Sequence, residues 1–236
     1  MKHYLWLVGA FAPAFTLGVA DAAEPVSSVF YGLQAEQAEV RFTGDTEILA
    51  LDFDAIIGTD EVKFVWRSEA EYGLREDEFE TLENQFRIAV PISPFFDGVV
   101  GLRLDTPEDE TRVDGLIGVH GLAQQWVEVD ADLFISDDPS IRLEAEYEGL
   151  ITQRITLTPS IEMEIPLTDD EDRGFGDFDP LIEVGARLSY DLIDRAFSPY
   201  VGVHYEIALG ESGRLAKAES GSRDALFFVV GARMMF

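Results

Sequence analysis

Cysteine is absent from the 236 residues, so neither disulfides nor zinc-thiolate centres hold the fold, and no thiolate is offered to Cu(I). Basic residues are scarce. Seventeen Lys and Arg stand against 46 Asp and Glu, for a formal charge of -29. That balance excludes a nucleic-acid partner, because phosphate binding needs a basic surface. It leaves two readings, attraction of cations and a merely solvated acidic surface. Long apolar runs are missing after the first twenty residues, so no later segment is a candidate transmembrane helix.

The single apolar run, Tyr4 to Val19, follows Met1, Lys2 and His3 and precedes Ala20-Asp21-Ala22. A basic start, an apolar stretch and a small-residue A-x-A site predict a cleaved signal peptide over residues 1–22. Gly9, Pro13 and the short length argue against a permanent anchor. Lys2 and Asp21 cancel, so cleavage leaves the net charge unchanged. A short periplasmic segment, 23–29, then leads into one body over 30–236.

That body is written in alternation. Val127, Val129, Ala131, Leu133 and Ile135 share one face of an extended chain, with Glu128, Asp130 and Asp132 on the other. The same division recurs along Ile141 to Glu148 and along Ile155 to Ile165. Period-two segments of about ten residues, punctuated by turn signals, predict strands of a membrane barrel. A soluble sandwich also alternates, and three features favour the membrane. A signal peptide exports the chain with nothing to stop it in the inner membrane. The polar faces carry both signs, with Lys63, Arg67, Arg87, Arg103, Arg112, Arg142, Arg187 and Arg233 among carboxylates, as in a lumen that pairs charges across strands. The final alternation ends on Phe236, the terminal aromatic of outer-membrane strands.

The predicted fold is therefore all-β, an up-and-down antiparallel transmembrane β-barrel in the bacterial outer membrane, its outer wall against lipid. About twelve strands are expected, near 30–42, 47–57, 61–72, 79–91, 96–105, 110–120, 125–135, 140–150, 153–166, 179–191, 198–209 and 223–236. An even count places both ends on the periplasmic side, with turns at 91–95, 121–124 and 193–197. The opposite loops are acidic, at Glu76 to Glu78, Glu108 to Glu110 and Asp169 to Asp172, and the Gly- and Ser-rich segment 210–222 is the longest of them. Phe64, Trp66, Tyr72, Trp126, Phe134, Tyr147, Tyr190 and Tyr205 are expected at interfacial girdles. Pro159 falls inside a strand, where its missing donor predicts a bulge.

Only His120 and His204 remain after the signal, and neither has a partner at metal-ligand spacing. His204 has inward parity with Tyr200 and Glu206 and is expected in a lumenal hydrogen-bond network. His120, beside Gly121, is expected at a turn. Inward carboxylates, Glu183 and Glu206 among them, outnumber inward basic residues by roughly two to one, the pattern of either a cation path or ion-pair ladders that plug the barrel. Glu36, Glu128, Asp130, Glu144, Glu146 and His204 are the candidate metal-binding residues. A lipid-facing Ser and His pair would suggest a phospholipase, but His204 points inward, Ser68 finds no partner and no G-x-S-x-G elbow occurs. An enzyme is not expected.

Several segments resemble the copper resistance protein B family: YGLQAEQAEVR at 31–41, HGLAQQWVEVDADLF at 120–134, IRLEAEYEGLITQR at 141–154, RGFG at 173–176, FSPYVGV at 197–203 and the ending GARMMF. The resemblance implies an outer-membrane barrel of copper homeostasis that handles copper ions alongside a periplasmic multicopper oxidase. Many family members carry a Met- and His-rich extension before the barrel. Here the interval 23–30 reads AEPVSSVF, and only the barrel function carries over. A general small porin or structural barrel without a metal role is the alternative.

Overall fold

The computed structural model describes residues 28–44, 46–75, 77–106, 111–169, 176–193 and 195–236. The proposed signal segment 1–22 lies outside the described residues, as do Glu76, Glu108 to Glu110 and Asp170 to Asp172 of the acidic loops.

Twelve strands form: β1 Phe30–Thr43, β2 Thr46–Gly58, β3 Lys63–Gly73, β4 Glu78–Pro91, β5 Phe96–Asp105, β6 Arg112–Ala123, β7 Val127–Ile135, β8 Ser140–Tyr147 resumed at Gly149–Leu150, β9 Ile155–Pro166, β10 Leu181–Tyr190, β11 Phe197–Ala208 and β12 Asp224–Met235. Each pairs antiparallel with the next, and β12 pairs back onto β1, so the sheet is closed and has no free edge. Both described chain ends lie at one rim, where the Leu33 N–H donates to the Phe236 carbonyl and the Phe236 N–H donates to the Leu33 carbonyl.

The burial pattern is inverted relative to a soluble protein. Val100, Ile117, Val201, Phe228 and Val230 are all more than half exposed on the outer wall, while Glu39, Arg87, Arg103, Asp132 and Arg187 are buried inside. Hydrocarbon outside and charge inside is the arrangement a membrane barrel requires, since the closed sheet satisfies every strand's backbone internally.

Several local expectations are corrected. Phe134 is fully buried and points into the lumen, as its parity with Asp130 and Asp132 dictates; it belongs to no girdle. Gly121 is not in a turn. β6 runs on to Ala123, and the reversal falls on Gln124 and Gln125, both at positive φ (52° and 69°), closed by Trp126 N–H donating to the Ala123 carbonyl, the geometry of a primed hairpin turn. Gly121 serves instead at a close approach, where a Cβ would lie 2.0 Å from the Phe95 carbonyl oxygen.

Pro159 makes no bulge: it lies in regular register opposite Ala186. Its missing donor falls where β8 lapses between Tyr147 and Gly149, and both parts of β8 keep one register against β9 (Glu146 opposite Ser160, Gly149 opposite Leu157).

The segment read as the longest loop holds a helix, α1, Gly210–Ser220. Its N-cap residue, Leu209, supplies no side-chain cap. The carboxylate of Asp179, from the neighbouring loop, accepts from the Glu211 N–H at 2.5 Å instead, satisfying one of the donors that a helix start leaves unpaired.

Candidate functional site

The lumen is filled unevenly. Inward-facing Ala89, Val99, Leu116 and Phe134, from β4 to β7, form a buried apolar cluster against one wall. The remaining space is a cavity of about 380 Å³ running mainly along β1–β4 and β7–β11, and its wall presents fourteen carboxylates, four guanidiniums and one imidazole. No Met lines it.

Strand alternation delivers the charges as ladders. Arg142 of β8 reaches Glu83 at 3.0 Å, Glu162 at 3.3 Å, Glu164 at 3.3 Å and Glu69 at 3.4 Å. Arg103 donates through Nε to Asp114 at 2.8 Å and lies 3.5 Å from Glu164. Arg87 clasps Asp132 at 2.8 Å and Asp130 at 3.2 Å. Arg67 meets Asp130 at 3.3 Å, Asp54 at 3.4 Å and Glu144 at 3.8 Å. These buried pairs offset the desolvation of each partner, so removing one member leaves an uncompensated charge.

β1 contributes a further set through a bulge. Its pairing with β2 shifts between Ala35 and Gln37, so the extra residue reverses the facing of everything after it. Strict alternation from Glu36 would have turned Glu39 and Arg41 to lipid. Instead both are buried: Arg41 contacts Glu39 at 2.8 Å and Glu71 at 2.6 Å, and Arg187 and the Tyr200 hydroxyl both donate to Glu39 at 2.8 Å. These are the lumenal residues that period-two reading missed, and a bulge in a single sequence leaves little signal.

Both described histidines face the lumen. His120, expected at a turn, sits in β6 directly opposite Asp130 of β7; its Nδ1 is 2.9 Å from Asp130 and its Nε2 is 3.8 Å from Glu128. His204, in a network as expected, places Nε2 2.9 Å from Glu206 and 3.3 Å from Glu183. Among the described residues, Glu183, His204 and Glu206 are the one group of three whose ligand atoms all lie within 4.8 Å of each other.

The six sequence-predicted metal residues all come from lumen-facing strands, but they do not converge on one point. Glu36 accepts from Gln34 at 3.0 Å, Glu146 is paired with Arg233 at 2.9 Å, and Glu128, Asp130 and Glu144 surround His120 and Arg67. His204 stands apart from the other five, with Glu183 and Glu206. Ser68 lies opposite Phe53 and Asn84 on the outer wall, and with both described histidines inside, no Ser and His pair forms there among the described residues.

Comparison with known proteins accords with this geometry. The barrel is similar in fold to the NanC porin, with a TM-score of 0.56 at 10% sequence identity over 87% of this chain and 99% of the porin. In sequence the chain is 32% identical to copper resistance protein B of Escherichia coli, covering 89% of this chain and 71% of that protein. It is 30% identical to a copper resistance protein B homolog of Pseudomonas syringae pv. tomato, over 86% and 68% respectively. The family model described as copper resistance protein B precursor matches residues 29–236. A closed twelve-strand barrel with a charged interior, matched by that model from first strand to last, makes this chain an outer-membrane member of the copper resistance protein B family.

Proposed function

We propose that the barrel binds copper ions and passes them through its acidic lumen across the outer membrane, in the service of copper resistance. The observation that supports this is the cavity wall, where fourteen carboxylates face four guanidiniums and one imidazole. A narrow, low-dielectric passage with such an excess of one sign concentrates cations and repels anions. The arginines hold many of the carboxylates in pairs, so a cation moves by exchanging with guanidiniums from one carboxylate group to the next. The chain acts without catalysis, and a periplasmic multicopper oxidase acts on the same copper pool.

The experiment compares copper tolerance and cell-associated copper in cells with and without the gene. A change in both is expected, and no change in either overturns the reading in favour of a general porin or structural barrel. The mechanism is tested by Glu144→Gln combined with Glu146→Gln. Glu144 lies 3.8 Å from Arg67, and Glu146 lies 2.9 Å from Arg233, so neutralising both removes two negative charges from the path while Arg67 keeps Asp130 and Asp54 and Arg233 keeps Glu148. Copper passage should fall while the barrel stays folded, and equal passage in variant and parent would reject a carboxylate-lined route.

A further inference from the structure

Resting on the copper reading, the geometry points to a specific coordination site for a divalent, borderline cation, Cu(II) in preference to Cu(I), formed by Nε2 of His204 and the carboxylates of Glu183 and Glu206. Glu183 and Glu206 are direct cross-strand partners on β10 and β11, a like-charge pairing that destabilises a ladder unless something positive lies between the two groups. His204 Nε2 occupies that position, 2.9 Å and 3.3 Å from the two carboxylates. One imidazole nitrogen and two carboxylates within 4.8 Å can close around an ion, with water completing the shell.

The imidazole is itself 96% buried, being 4% exposed, and its ring is packed beside Phe227 with centroids 6.2 Å apart. Its Nδ1 has no hydrogen-bond partner. Without an ion, Nε2–H donates to Glu206 at 2.9 Å. A cation that takes the place of this proton binds the Nε2 lone pair and both carboxylates, while the ring keeps its hydrogen on Nδ1, where no other bond is displaced.

His120 makes the useful contrast. Its partner Asp130 is already clasped by Arg67 and Arg87, so the carboxylate charge there is spent. Among the described residues, the guanidinium in contact with this group is that of Arg41, 3.7 Å from Glu206 and closer to Glu71 and Glu39. Two carboxylates and an imidazole are nitrogen and oxygen donors, which suit Cu(II), whereas Cu(I) selects the thiolates and thioethers that the cavity lacks.

The site lies toward the loop rim, with Glu206 two residues from the end of β11 and Glu183 two from the start of β10.

The test is electron paramagnetic resonance of the full-length barrel in detergent with one equivalent of Cu(II), read for nitrogen hyperfine structure, beside Ag(I) titration as the soft-cation probe. The expected result is a nitrogen-coupled Cu(II) signal in the parent and in His120→Gln, lost in His204→Gln. Cu(II) affinity should fall roughly 10-fold or more in Glu183→Gln, the scale on which a perturbed ligand shell weakens a metal site, and Ag(I) binding should not respond to either change. Heat-modified gel mobility shows that each variant is folded, and Glu183→Gln preserves side-chain shape should His204→Gln fail to fold. A nitrogen signal that persists in His204→Gln, or a parent without one, overturns the site. Copper tolerance measured in cells carrying the same variants then shows separately whether the passage reading stands.

Discussion

Arg103 lies over the face of Phe134, its guanidinium carbon 3.7 Å from the ring centroid. The ring is fully buried and the guanidinium almost so, and Arg142 approaches the same ring at 5.4 Å. A cation over an aromatic face in a desolvated site is held by roughly 2 kcal/mol or more. The contact joins the apolar filling on the β4–β7 side to the ion-pair ladders and so sets where the filled part of the lumen ends and the cavity begins.

Arg103→Met removes the partner of Asp114 and one partner of Glu164 and keeps the bulk above Phe134. A buried charge left without its partner costs on the order of 3–5 kcal/mol. The urea midpoint of the refolded barrel should fall accordingly, and a midpoint within error of the parent would show that the ladders do not hold the barrel together.

Val201 is 56% exposed at the middle of β11 on the outer wall, beside Leu188 and Val230 of the flanking strands. Val201→Arg should destabilise insertion by about 2–4 kcal/mol, the scale for arginine at the bilayer midplane. Equilibrium folding into lipid vesicles measures it. Unimpaired folding would mean that this face does not meet hydrocarbon.

Ion selectivity should depend on salt. At 0.1 M the screening length is about 10 Å and at 1 M about 3 Å, so the field of the excess lumenal carboxylates reaches across the passage only at the lower concentration. Reversal potentials in a planar bilayer should show strong cation preference at low salt that declines at high salt. Preference for anions at low salt would contradict the carboxylate excess of the wall.

Much of this was legible in the residues. The alternation of Val127 to Ile135 and of Ile155 to Ile165 determined the strands and which side of each faces lipid, because a strand's side chains alternate with a fixed period of two. Composition determined that the interior is acidic and lacks soft ligands. Strand count and membrane location followed from these, and the copper connection came from wording shared with a family.

What the tertiary structure decided is where the period breaks and what closure brings together. The β1 bulge turned Glu39 and Arg41 inward, which no alternation rule anticipates because one inserted residue has no compositional mark. The carboxylate of Asp179 capped a helix in a segment whose own glycines and serines read as loop. Glu183 and Glu206 each had inward parity from the start, but only the register of β10 against β11 set them opposite one another with His204 Nε2 between them. Facing is a local property of a strand, whereas register depends on the pairing of segments distant in sequence.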